Sequence, residues 1–140
     1  MWIVYAFLTI IFYAGLDFFI KKAAGKIDDF WGSVVINFFS MLPALLVVVL
    51  LKLSNKELMI TRPGIVYSIL AGLSIGIGTI TFIKLFSTGV NLSIASPVVR
   101  IGIIVATTML GVIILKESLN LKQIIGIVFS LIGLSLLVLK

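Results

Sequence analysis

The chain alternates between long apolar runs and short polar breaks. The runs lie at about residues 2–21, 30–51, 63–87, 92–115 and 121–139, and the breaks read "KKAAGKIDD", "KLSNKELMITR", "TGVN" and "KESLN". A bilayer core about 30 Å thick is crossed by roughly 20 helical residues at 1.5 Å each. Each run therefore predicts a membrane-spanning helix. Start signals fall where the runs begin. Asp29 can cap the second helix, Pro63 suits the first turn of the third, and Asn120 with Gln123 has the form of a capping pair. The turn from Gly89 to Asn91 separates the third and fourth runs, although Lys84 and Arg100 interrupt the hydropathy on either side. The first run has no basic leader and is too long for the apolar part of a signal peptide, so it is read as a retained helix. Trp2, Tyr5 and Trp31 suit interfacial anchors.

Composition supports a lipid environment. Of 140 residues, 61% are hydrophobic and 11% charged, against about 25% charged in a soluble domain. The polar side chains are too few to cover a water-facing surface. The predicted fold class is an all-α integral membrane protein with five transmembrane helices in a single domain, 1–140. The net charge of +6 would point to nucleic acid in a soluble protein. Here the basic residues sit mostly between apolar runs, where they meet headgroups of membrane lipid and set orientation. No nucleic-acid partner is expected.

Catalytic chemistry finds little to use. The absence of Cys and His removes disulfides, thiol nucleophiles and the usual zinc sites. Gly76-Ile-Gly78 lacks the preceding strand of a dinucleotide fingerprint, and the "NLS" sequon at 91–93 lies in a tight turn. No nucleophile–base arrangement or metal cluster is recognisable, so neither an enzyme nor a cofactor is expected.

Charge leaves orientation nearly balanced. With the N-terminal side called A, that side receives Lys52, Lys56, Arg62, Lys116 and Lys122. The opposite side, B, receives Lys21, Lys22, Lys26 and Lys140, joined by Lys84 if its long side chain snorkels there. Lys/Arg asymmetry between short loops sets orientation, and this asymmetry is slight. A weakly biased single topology and insertion in both orientations both fit.

The polar residues inside the runs are one-sided. Asp17 lies about one turn short of the B end of the first helix, Asn37 about two turns into the second, and Lys84 about one turn before the Gly89 turn. Arg100 is the deepest, roughly 6 Å from the midplane at 1.5 Å per residue. All four fall in the B half, while the A half offers hydroxyls such as Thr9, Ser68, Ser74, Thr107 and Thr108. That pattern fits the wall of a water-accessible vestibule. Simpler readings stand beside it. Asp17 and Lys21 at i, i+4 fit a solvated helix-end pair, and Asn37 fits a hydrogen bond to a neighbouring helix. Arg100 fits a buried pair with Asp17, though a centrally placed Arg costs about 2.5–3.5 kcal/mol on insertion scales, which favours a cavity-facing role.

Pro97 frees the carbonyl of Ser93 inside the fourth helix, and freed backbone groups at membrane depth need protein, water or ligand beside them. Pro43 is a second candidate flex point. Gly72 and Gly76, Gly102 and Ala106, and Gly126 and Ser130 followed by Gly133 have the small-residue spacing of helix packing.

The C-terminal run "SIASPVVRIGIIVATTMLGVIILKESLNLKQIIGIVFSLIGLSLLVL" resembles the end of an EamA-type domain of the drug/metabolite transporter superfamily. The shared features are Pro97 after small residues, an apolar helix, Glu117 before a polar turn, and a last helix with Gly126 and Gly133. "FYAGLDFFIKKAA" and "GIGTITFIKLFSTGVNLSIASP" are similar to the family's first helix and its 3–4 turn. Most relatives carry two such domains as inverted repeats, whereas this chain carries one. The resemblance thus implies one half of an inverted-repeat (5+5) transporter. Such transporters bind substrate near the midplane between oppositely oriented halves. A single copy regains that geometry by pairing with an inverted partner, which the balanced charges permit.

The resulting expectation is a secondary transporter in a prokaryotic plasma membrane, working by alternating access as an antiparallel homodimer. Its substrate-binding residues are Arg100, Asp17, Lys84, Asn37 and Tyr13, the last one turn from Asp17 on the same helix face. Arg100 and Lys84 against Asp17 favour an anionic or zwitterionic small-molecule substrate. The alternative is a non-transporting membrane subunit, or a lipid-linked sugar flippase component, acting in a hetero-complex.

Overall fold

The computed structural model describes residues 2–138. Lys140 and the last residue of the fifth predicted helix lie outside the described residues. Five helices follow in order: α1 (Trp2–Ala23), α2 (Asp29–Leu53), α3 (Arg62–Ser87), α4 (Leu92–Ile113) and α5 (Leu121–Val138). The first four are long and apolar enough to cross a membrane, while the apolar stretch described in α5, Leu121–Leu136, is shorter. The chain groups into two compact units, Met1–Gly89 and Val90–Lys140.

Apolar side chains stand open to the surroundings all along α1 and α2, from Ile3 and Phe7 to Leu46 and Leu50. Water would not tolerate so continuous an apolar surface. Lipid does, and with the hydropathy of the spans it makes the protein an integral membrane protein.

In the first unit, α1–α3, the core gathers at one end. Ile20, Ile83 and Phe86 are almost fully buried there. After α1 the chain reverses through Gly25 at φ 74°, a left-handed value that glycine adopts without a Cβ clash. The N-cap of α2 is Asp28 rather than Asp29. Asp28 Oδ1 accepts from the Phe30 N–H at 3.0 Å and the Trp31 N–H at 3.2 Å. Its extended backbone (φ −55°, ψ 139°) places Asp29 already inside the helix, where Asp29 Oδ1 accepts from the Ser87 hydroxyl at 2.7 Å. Two adjacent carboxylates thus divide the work of starting α2 and tying it to α3. Asp28→Ala should lower stability by about 1 kcal/mol, the usual weight of a cap. Thermal unfolding in detergent would read this, and an unchanged midpoint would show that Asp29 takes over.

The Pro63 expectation holds, since it lies in the first turn of α3, with Thr61 Oγ1 accepting from the Gly64 N–H at 3.2 Å. α3 ends in a turn closed by the Gly89 N–H donating to Phe86 O at 3.1 Å, with Gly89 at φ 90°.

In the second unit, α4 stops at Ile113, two residues before the apolar run ends. The Leu115 N–H donates back to Leu110 O at 3.3 Å and the Glu117 N–H to Gly111 O at 3.0 Å. Between them Lys116 takes a left-handed φ of 56°, so the chain doubles back despite the apolar Ile114 and Leu115. α5 opens on the expected capping pair. The Asn120 N–H donates to Gln123 Oε1 at 2.8 Å, and the Gln123 N–H to Asn120 Oδ1 at 2.9 Å. Both α2 and α4 run unbroken through their prolines, Pro43 and Pro97.

The glycine stripes correct one expectation. An added Cβ at Gly72, Gly76, Gly78, Gly102, Gly126 or Gly133 would meet nothing within 4 Å. The close approaches are elsewhere, at Gly32, Gly64 and Gly111. A Cβ on Gly32 would lie 3.2 Å from Ile27 Cγ2 and 3.4 Å from Ile83 Cδ1, and one on Gly111 would lie 2.7 Å from Glu117 Oε2. The small-residue spacing therefore does not mark crowded Cβ positions, although the Gly76 carbonyl of α3 lies 3.5 Å from the Ser33 hydroxyl of α2.

Candidate functional site: polar residues toward one end of the first unit

Three of the predicted site residues share one end of the first unit. Asp17 lies six residues before the end of α1, Asn37 eight after the start of α2, and Lys84 three before the end of α3. The helix rise converts these to about 9, 12 and 4.5 Å along the respective axes. Contacts at the helix ends bring these three termini together. Lys21 Nζ sits 5.6 Å from the Phe86 ring centroid, Lys84 Nζ sits 4.7 Å from that of Phe30, and Ser87 bonds to Asp29.

Asp17 is 3% exposed, the most buried acid described. A carboxylate is seldom buried without a role in pairing or binding, which makes it the strongest candidate of this unit. Tyr13, one turn earlier on α1, is open to the surroundings. Lys84 is exposed and takes the helix-end position that the sequence left open, its ammonium over Phe30. A cation over an aromatic face is held by the ring quadrupole, and Lys22 repeats the arrangement over Phe18 at 5.8 Å.

Asn37 is half-buried, and its side-chain hydrogen bonds stay within α2 instead of reaching a neighbouring helix; the bond to α3 is made by Ser33. Its Nδ2 donates to Ser33 O at 2.8 Å and to Ser33 Oγ at 3.2 Å. Ser33 Oγ then reaches Gly76 O of α3 at 3.5 Å. Ser33 is 4% exposed. The sequence reading passed over it, although its place one turn before Asn37 was a usable signal. Phe30 was likewise missed as the partner of Lys84.

Arg100 belongs to the second unit. It is half-buried on α4, one turn after Ser96 and three residues after Pro97, eight residues inside the helix start at Leu92. Buried Ala95 and half-buried Val98 and Val99 surround it in sequence. No group of three or more potential metal ligands occurs among the described residues.

The sequence profile of the EamA-like transporter family matches residues 1–139. Among curated proteins, an uncharacterized protein of Methanocaldococcus jannaschii is 34% identical over 136 residues, 96% of this chain and 94% of that protein. No solved structure matches significantly.

Proposed function

The chain belongs to the EamA-like transporter family, and on that premise we propose that it is a secondary transporter of a small metabolite, working by alternating access as an antiparallel homodimer. The observation that carries the reading is one family domain filling residues 1–139 with nearly balanced loop charges. Inverted-repeat transporters need two oppositely oriented halves, and a second, inverted copy supplies the missing one. The archaeal relative, covered over 94% of its length, has the same one-domain size. It also supports a prokaryotic plasma membrane as the location. In this reading α5 is the fifth span. Its 18 residues extend about 27 Å, a mismatch that slight bilayer thinning absorbs.

Substrate handling is assigned to Asp17, Asn37, Lys84 and Tyr13 in the first unit and to Arg100 in the second. Asp17 and Asn37 supply acceptors, Lys84 a cation at the helix end, and Arg100 a guanidinium suited to carboxylate or phosphate. An anionic or zwitterionic solute fits this set best. Pro97 and Pro43 remove one backbone hydrogen bond each and are the flex points for the change in access.

Dual topology is the first test. The chain has no cysteine, so Lys26→Cys and Lys56→Cys give labelling free of background. Each should react with an impermeant maleimide from both sides of intact cells or oriented vesicles. One-sided labelling at both positions would remove the antiparallel homodimer. Purification as an obligate hetero-complex that moves no solute in vesicles would favour a non-transporting subunit or a flippase component.

A further inference from the structure

Ser33, Asn37 and Ser40 fall at i, i+4 and i+7 and so share one face of α2. The amide orientation of Asn37 follows from chemistry. A backbone carbonyl only accepts hydrogen bonds, so the atom 2.8 Å from Ser33 O is Nδ2. The same nitrogen faces Ser33 Oγ at 3.2 Å, and that hydroxyl has its own proton to give to Gly76 O at 3.5 Å. Donors and acceptors run in one consistent direction from Asn37 through Ser33 to α3. Asn37 Oδ1 is therefore turned away from Ser33, and it accepts no hydrogen bond among the described residues. Asn37 stands about 12 Å inside α2 by helix rise. A free amide oxygen at that depth is unfavourable against hydrocarbon, which makes a polar occupant its natural partner.

We propose that Ser33 is the positioning residue of an acceptor site in which Asn37 Oδ1 takes a hydrogen bond from an N–H or O–H of the transported solute. The proposal rests on the transport reading and narrows it to solutes that carry an N–H or O–H donor. Ser33 touches no solute. It holds both amide protons of Asn37 and, through Gly76, fixes the amide relative to α3.

Solid-state NMR of protein in liposomes, with asparagine labelled at Cγ and Nδ2, tests this directly, and Asn37→Ala assigns the signal among the four asparagines. The probes are phosphoethanolamine and phosphocholine, which differ in whether the cationic nitrogen bears N–H. The expected result is magnetisation transfer from water to Asn37 Cγ and a saturating Cγ shift with phosphoethanolamine but not phosphocholine. Ser33→Ala should move the Nδ2 resonance and weaken phosphoethanolamine binding several-fold, and Ser33→Thr, which keeps the hydroxyl, should restore both. No water transfer, no shift with phosphoethanolamine, or equal shifts with both probes overturns the acceptor site. An Nδ2 resonance and affinity indifferent to Ser33→Ala overturn the role of Ser33. If phosphoethanolamine binds as expected yet proteoliposomes fail to move it or any other solute, the transport reading fails while the acceptor site stands.

Discussion

Arg100→Gln should reduce uptake of anionic solutes by roughly 30- to 4,000-fold. Removing one partner of a desolvated, hydrogen-bonded charge pair costs about 2–5 kcal/mol, and each 1.4 kcal/mol is tenfold in affinity. Arg100 is placed to show that full effect. It is half-buried on a long apolar helix, eight residues from the helix start, where a guanidinium is expensive unless it serves something. Lys84 does not share the load equally, because its ammonium is exposed over Phe30 at the end of α3. In the proposed transport reading, a preference for anions therefore falls mainly on Arg100. Arg100→Lys keeps the charge but loses the planar fork that grips carboxylate or phosphate with two bonds, so an intermediate loss, about tenfold, is expected. Proteoliposome uptake of a panel of labelled anions and cations measures both variants. Transport of cations alone, indifferent to either substitution, would make Arg100 structural and overturn the substrate assignment.

The sequence was legible where one local rule acts alone. Five apolar runs became five helices, because run length and hydropathy decide membrane helices with little help from tertiary context. Asn120 and Gln123 formed their reciprocal pair, because both partners lie within one turn. Reading failed where two local rules competed. Asp28 and Asp29 carry the same capping chemistry, and only the backbone angles at Asp28 select it. Ile114 and Leu115 continue an apolar pattern, yet the left-handed Lys116 and the bond from Glu117 to Gly111 end the helix before them.

Candidate site residues were conspicuous for a related reason. Asp17, Asn37, Lys84 and Arg100 are rare residue types inside apolar runs, so each stands out without any knowledge of its neighbours. Their partners do not. Ser33 and Phe30 are ordinary in membrane helices; the spacing of Ser33 and Asn37 hints at their bond, but only the packing of α2 on α3 reveals the bond from Ser33 to Gly76 and Phe30 as the seat of Lys84. Glycines show the same limit from the other side. Gly72 and Gly76 have the spacing of a packing motif, yet a Cβ at either would meet nothing, while one on the isolated Gly32 would press on Ile27 and touch Ile83 of α3.

That contrast sets the second large effect. Gly32→Leu should destabilise the protein by about 3 kcal/mol, whereas Gly72→Leu should leave its stability unchanged or slightly raised. At Gly32 a bare Cβ already lies 3.2 Å from Ile27 Cγ2 and 3.4 Å from Ile83 Cδ1, and Ile83 is 1% exposed with little room to retreat. An isobutyl group there forces α2 off α3, and overpacking of this kind typically costs about 1–3 kcal/mol, occasionally more. Gly32→Ala is the internal control. Its single methyl needs a shift of a few tenths of an ångström, while alanine gains about 1 kcal/mol of helix propensity over glycine, so the two effects nearly cancel. At Gly72 the added side chain meets nothing within 4 Å and simply joins the lipid-facing surface. Ser33 follows Gly32 directly, so separating α2 from α3 should also break the bond from Ser33 to Gly76, leaving Asn37 and Ser33 joined to each other within α2. Thermal unfolding of the three variants in detergent decides the matter. Equal losses at Gly32→Leu and Gly72→Leu would mean that the α2–α3 contact at Gly32 carries no special weight, and that the GxxxG stripe of α3 is the packed face.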